Sequence, residues 1–261
     1  MTELQTAAAR QRTLTTWMDL RSTLRRIPGA RRLTHTLYSP LLMILRSVYG
    51  DAYRQVVFRA IWISNLWGDA DTRSGTGSNL RETAVLRKRF ASLLEHLAVR
   101  RVLDVPCGDF HWMKEVQFPA GLEYEGGDIV EQIVDRNHRQ YGGETRLFRT
   151  MDLLRDPLPA ADLILCRDCL VHFSFVDIFA AVGNLKRSGS KYLLTTHYAN
   201  DRTNDDIRTG RWRPLNLTRP PFNFPPPLFV IDEESTEADG RYKDKHLALW
   251  RLEDLPECGL R

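Results

Sequence analysis

Polar residues that follow short apolar runs are where chemistry is to be sought in this chain. They are Asp104 to Phe110, Asp128, Asp152, Arg167 with Asp168, and His197 to Asp201. The turn Asp104-Val105-Pro106-Cys107-Gly108-Asp109-Phe110 contains one glycine. A dinucleotide site would want G-x-G-x-x-G, so that the backbone can approach a pyrophosphate. The Asp104 carboxylate would repel a pyrophosphate and suits a cationic ligand. Such a pairing gains strength in a partly desolvated cleft. Asp128 lies 24 positions beyond Asp104. An acid near that spacing can accept hydrogen bonds from both hydroxyls of a ribose. Asp152 could take a bond from an amino group on a base.

Proton transfer needs a histidine or a carboxylate. Asp168, His172 and His197 are the candidates. His172 stands four residues after Asp168. The competing readings are a core-edge histidine bonded to backbone for His172 and a strand-end cap for His197. Cys166-x-x-Cys169 invites a zinc reading, but zinc needs two more ligands at sensible spacing. Cys107 and Cys258 are isolated, so apolar packing is the better reading and no metal is expected. The loop Ser74-Gly75-Thr76-Gly77-Ser78 lacks the Gly-Lys-Ser/Thr of a Walker loop. Its amides could hold an anion, with Arg73 and Thr83 in support, or it could be a connector.

These residues need elements to position them. From Arg101 onward, short apolar runs alternate with helical segments. Strands are expected at 102–105, 122–129, 146–149, 162–166 and 191–196. Helices are expected over 109–116, 131–141 and 175–186. Such alternation means a parallel sheet covered by helices on both faces. Ahead of it, apolar positions Leu80, Ala84, Phe90, Leu93, Leu94 and Leu97 recur at helical spacing, with Ser78 or Asn79 as cap. After it, residues 213–228 hold six prolines and must be irregular. Two more strands, 229–231 and 246–252, flank a turn near Asp239-Gly240. The fold class is therefore α/β: a doubly wound, mostly parallel, seven-stranded sheet with a C-terminal antiparallel hairpin and an N-terminal helical extension. The expected division is 1–65 for the extension and 66–261 for the sheet domain.

The extension reads as helices at 13–24 and 41–67. Its charge is distinctive: residues 1–60 hold ten arginines, no lysine and three acids, while the whole chain of 261 residues carries only +4. A basic extension on a mildly acidic domain points to an anionic surface, a membrane or nucleic acid, or else to a solvated helical face. The apolar stretch at 37–48 is about half the ~20 residues needed to span a bilayer. With 43% hydrophobic and 27% charged residues, collagen-like and wholly disordered chains are excluded. Four scattered cysteines argue against a secreted disulfide scaffold and for a cytoplasmic setting.

"VLDVPCGDFHWM" resembles the first motif of class I S-adenosylmethionine-dependent methyltransferases, "YEGGDIV" their second, and "DLILCRDCLVHF" their fourth. "WGDADTRSGTGS" is similar to the segment ahead of the core in bacterial members with an N-terminal helical part. Pro106 and Phe110 depart from the pattern, standing where many relatives have glycine. The resemblance implies that Asp104, Pro106 and Gly108 cradle the methionine part of S-adenosylmethionine. It implies that Asp128 and Ile129 hold the ribose and adenine, and that Asp152 and Leu153 contact the base. Cys166, Arg167 and Asp168 would line the cofactor's other side. S-adenosylmethionine carries an ammonium and a sulfonium, the cationic character that Asp104 suits.

The function expected is methyl transfer to a small-molecule or glycan acceptor through oxygen, in the cytoplasm or at the inner membrane surface. Trp212, with Phe222 and Phe224 of the proline-rich stretch, would roof the acceptor pocket, or the stretch is a rigid surface lid packed on the sheet edge. Methylation of nucleic acid ranks lower, because no base-stacking pattern or Asn/Asp-Pro-Pro-aromatic motif is present. A non-catalytic scaffold is disfavoured by the acids kept at the strand ends.

Overall fold

The computed structural model describes residues 30–257, with side chains from residue 40 onward. The expected helix at 13–24 and Cys258 lie outside the described residues. Two compact units divide between Gly68 and Asp69.

The first unit pairs helix α1 (Ala30–Tyr49) with α2 (Tyr53–Ile63). A continuous helix over 41–67 is not formed. Gly50 adopts φ +49° and a single 3-10 turn interrupts the helix; glycine takes this conformation without steric cost. Leu42, Leu45, Tyr53, Val57 and Ile61 form the buried seam. No described helix is long and apolar enough to cross a membrane.

The second unit is a seven-stranded sheet in the order β3-β2-β1-β4-β5-β7-β6. Its strands are β1 (Arg101–Asp104), β2 (Glu123–Asp128), β3 (Arg146–Thr150), β4 (Leu163–Cys166), β5 (Tyr192–Tyr198), β6 (Phe229–Asp232) and β7 (Lys245–Arg251). The first five run parallel; β7 is antiparallel to β5 and β6. Helices α3 (Ala84–His96), α4 (Glu131–Tyr141) and α5 (Phe175–Arg187) complete it. α5 begins at Ser174, whose side chain accepts from the Asp177 amide, and ends on Lys186 and Arg187. An acid in its first turn and bases in its last complement the helix dipole.

Alternation along the strands sorts the residues onto two faces. On the near face Val102, Tyr124, Leu163, Leu165, Leu194, Leu247 and Leu249 pack with Leu86, Phe90, Leu93 and Leu94 of α3. The far face carries the neighbours in between, including Cys166, His197 and Trp250. The expected helix over 109–116 is reduced to one 3-10 turn, Met113–Glu115. The reason is Phe110, which takes φ +58° and turns its ring into the near-face core. There it packs against Tyr124, Tyr141 and Phe148 at centroid distances of 5.1, 5.1 and 5.2 Å. Its bulk therefore fills the core beneath the turn.

Candidate active site

The β1 turn is held from three sides. The Cys107 amide donates to the Gly127 carbonyl at 2.8 Å, and the Gly108 amide donates to Asp128 Oδ2 at 3.1 Å. Asn137 Nδ2 of α4 donates to the Gly108 carbonyl at 2.7 Å. Gly108 has φ +53°, and a Cβ there would lie 2.5 Å from Ser74 Oγ. Glycine is required on both counts.

Ser74 belongs to the segment ahead of the core, which acts as a strap across this turn. Asp109 Oδ2 accepts from Thr72 Oγ1 at 2.8 Å and from the Arg73 amide at 2.9 Å. Ser74 Oγ donates to Asp109 Oδ1 and accepts from the Asp109 amide, both at 3.0 Å. These bonds fix the start of the 74–78 segment in place.

Two acids flank the turn. Asp104 accepts from the Tyr124 hydroxyl at 2.6 Å. Asp128 Oδ1 accepts from the Val130 amide at 2.9 Å, while its Oδ2 holds the Gly108 amide. Both carboxyl groups are buried and neither has an ion-pair partner among the described residues. Burial, outweighing the Tyr124 bond, raises Asp104 to about 7. Burial likewise raises Asp128 to about 6, against the pull of the Val130 and Gly108 amides. Removing a carboxylate from water disfavours its charged form. These two buried carboxyl groups form a pair without an ion-pair partner among the described residues, although Arg167 acts on Asp104 from further off.

Further along the rim lie the residues expected to contact the base. Asp152 closes a turn, with its Oδ1 accepting from the Leu154 amide at 3.0 Å. Leu153 is buried, whereas Ile129 and Pro106 are half-buried. Cys166 is wholly buried with its side chain on the far face. Pleating turns its thiol away and leaves its backbone at the rim.

Arg167 and Asp168 open a charge network that the sequence reading missed. Arg167 pairs with Glu233 at 2.5 Å and donates to the Gly77 carbonyl at 2.7 Å. Lys245 Nζ lies 2.8 Å from Asp168, 3.0 Å from Glu237 and 3.8 Å from Glu233. Thr76 Oγ1 donates to Glu237 at 2.7 Å, so the strap is bound here too. Burial alone would push Asp168 upward, but Lys245 and then Arg167 hold it well below the usual carboxylate range. Lys245 is kept protonated far above neutral pH by Asp168 and Glu233, against the effect of burial. Arg167 is occupied by this network, with its guanidinium 5.5 Å from the Trp112 ring centroid. One signal could have found Lys245: a lysine opening an apolar strand, "KHLALWR".

The structure separates the two histidines. His172 Nδ1 lies 2.9 Å from the Arg211 carbonyl. A carbonyl only accepts, so Nδ1 carries the proton and Nε2 keeps its lone pair. Burial lowers His172 to about 4, leaving the ring neutral at pH 7. His197 lies on the other face of the sheet. Thr196 binds the Asp168 amide at 2.7 Å, so the next residue of β5 must point away. His197 Nδ1 accepts from the Leu217 amide at 3.2 Å, and its ring meets Trp250 edge-on. Of the three candidates, His197 is thereby set apart from Asp168 and His172.

Two aromatics of the proline-rich stretch are set apart likewise. Phe222 packs on Phe175 and Phe179 of α5, and Phe224 on Trp250. Both are buried against the far face. Trp212 alone of the three expected lid aromatics is exposed, and it packs edge-on against Tyr242.

The residues at the β1 and β2 ends fit a cationic nucleoside. Each oxygen of Asp128 accepts one amide and retains a lone pair for a ribose hydroxyl. The desolvated pair Asp104 and Asp128 would regain a counter-charge from an ammonium and a sulfonium.

No protein-family model matches the sequence, and no curated protein does. Among solved structures, the N-methyltransferase NodS from Bradyrhizobium japonicum WM9, in complex with S-adenosyl-L-homocysteine, matches with a TM-score of 0.50 at 16% identity. That match covers 73% of this chain and 97% of NodS. Human N-acetylserotonin methyltransferase in complex with SAM gives a TM-score of 0.42 at 18% identity. It covers 54% of this chain, and this chain spans only 41% of it. The strand order, the antiparallel β7 and the NodS match define the fold: this chain has the class I S-adenosylmethionine-dependent methyltransferase fold.

Proposed function

We propose that this chain is an S-adenosylmethionine-dependent methyltransferase acting on an oxygen of a small-molecule or glycan acceptor. The observation that carries the reading is the pair of buried carboxylates, Asp104 and Asp128, flanking the Gly108 turn without an ion-pair partner among the described residues. Asp128 would hold the ribose, and Asp104 the positively charged methionine end. The bound cofactor supplies a methyl group on a sulfonium, whose carbon–sulfur bond breaks as the acceptor oxygen attacks. The protein's part is alignment, a term that contributes several kcal/mol, together with removal of one proton.

His172 is the residue we assign to that proton: its ring is neutral at pH 7 and is oriented by its contact with the Arg211 carbonyl. Asp168 is held ionised by Lys245 and Arg167, which makes it a poor proton acceptor and a firm positioning charge. For the extension we propose an anionic membrane surface at the cytoplasmic side. Met43, Ile44 and Val48 are exposed on α1 beside Arg46, and an apolar face with arginines suits such a surface.

Calorimetry with S-adenosylmethionine and S-adenosylhomocysteine tests the binding claim directly. Incubating the protein with labelled S-adenosylmethionine and small-molecule extracts tests the reaction. Absence of heat with both nucleosides would sink the reading.

A further inference from the structure

We infer that Tyr198, Trp212, Tyr242 and Asp168 form the acceptor subsite, and that it takes a neutral or cationic ring compound bearing a hydroxyl group. This deepens the methyltransferase reading and rests on it.

The first observation is the Tyr198 hydroxyl. Tyr198 is 1% exposed, yet its hydroxyl has no hydrogen-bond partner among the described residues. The oxygen itself is not enclosed, so it can bond a molecule resting there. β5 and β7 pair Tyr198 directly with Lys245, so the phenol stands on the near face beside the charge network. Lys245, Asp168, Glu237 and Glu233 all act on it.

The second observation is an aromatic wall. Tyr198 and Trp212 meet edge-on at 6.3 Å, Tyr198 and Tyr242 at 5.9 Å, and Trp212 and Tyr242 at 4.9 Å. Trp212 is 40% exposed, which leaves indole surface for a ring to cover. Arg202 already occupies one side of Tyr198, 5.4 Å from its centroid, and is itself paired with Asp244. The open surface is therefore that of Trp212 and Tyr242.

Charge narrows the ligand. In the network, Arg167 and Lys245 face Asp168, Glu233 and Glu237, an excess of one negative charge. Side chains of Arg167, Lys245 and Glu233 are 1–4% exposed, whereas that of Asp168 is 23% exposed. Glu237 is 20% exposed as well, so the network meets an incoming molecule through these two carboxylates. An O–H or N–H donor is welcome there, and an anion is repelled. The ring would lie on Trp212, its donor toward Asp168, with the Tyr198 hydroxyl donating to the same heteroatom.

The test is calorimetry on the full chain saturated with S-adenosylhomocysteine, using three ring probes: 4-methylphenol, tyramine and 4-methylbenzoate. The phenol and the amine should bind at least tenfold more tightly than the benzoate. Trp212→Ala should weaken both by at least tenfold, and Tyr198→Phe by at least threefold, with S-adenosylhomocysteine affinity unchanged in each variant. Equal binding of the benzoate, indifference to Trp212→Ala, or no binding of any probe would overturn the assignment. The nucleoside titration comes first, so its failure identifies an error in the methyltransferase reading and not in the subsite.

Discussion

Lys245 reaches Asp168 at 2.8 Å, from a strand 77 residues further along the chain. Neither residue would be ionised comfortably at that depth without the other. The lysine is 2% exposed and touches three carboxylates. Removing one member of a buried ion cluster typically costs about 3–5 kcal/mol. Lys245→Met should destabilise the protein on that scale in urea unfolding. Lys245→Met with Asp168→Asn should recover part of the loss. A single variant as stable as the parent would show that the pairing contributes nothing.

Asp128→Ala should weaken S-adenosylhomocysteine binding by at least ~1.5 kcal/mol, the scale of a charge-assisted hydrogen bond. Because Asp128 also holds the Gly108 and Val130 amides, circular dichroism must accompany the titration. Asp128→Asn keeps the shape and should lie between. Parent-like affinity in both variants removes Asp128 from the ribose role.

Cofactor binding should depend on pH. Asp104 and Asp128 have carboxyl groups raised by burial to about 7 and about 6. In the free protein their contribution to stability is fully present below the ordinary carboxylate range. It is lost as pH rises through 6 to 7, because ionising a buried acid opposes folding. A cationic ligand prefers the ionised acids, so S-adenosylmethionine affinity should rise between pH 5 and 8, with proton release below pH 7. Calorimetry in buffers of differing ionisation heat measures that release. A flat profile would show that neither acid changes protonation on binding.

Liposome sedimentation checks the extension. The full chain should bind vesicles of phosphatidylglycerol more than vesicles of phosphatidylcholine, and salt should weaken the association. Ile44→Glu with Val48→Glu should abolish it while leaving nucleoside binding intact. Retained vesicle binding would leave the α1 face without that role.

Most of the sheet was legible because buried parallel strands are short apolar runs between turn residues. The acids at their ends followed from that placement. Pleat parity was not used, although it decides which residues share a face. Once Thr196 contacts Asp168, His197 and the aromatic pair Phe222 and Phe224 belong to the opposite side. The helix over 109–116 failed for a local reason: Phe110 is pulled into an aromatic core, and its left-handed backbone ends the helical path. Glu233, Glu237 and Lys245 were invisible because no spacing links them to Arg167 and Asp168. Only the antiparallel return of β7 brings them there.

The strap ahead of the core has a practical implication for dissecting the protein. Thr72 to Ser74 clasp Asp109, while Thr76 and Gly77 engage Glu237 and Arg167. One short segment thereby staples the β1 side of the rim to the β4 and β7 side. A fragment trimmed to start at the first strand would keep every element of the sheet and lose the clamp that joins its two halves. The smallest self-sufficient piece must begin no later than Asp69, whose own carboxylate ties Thr72 to Asn79.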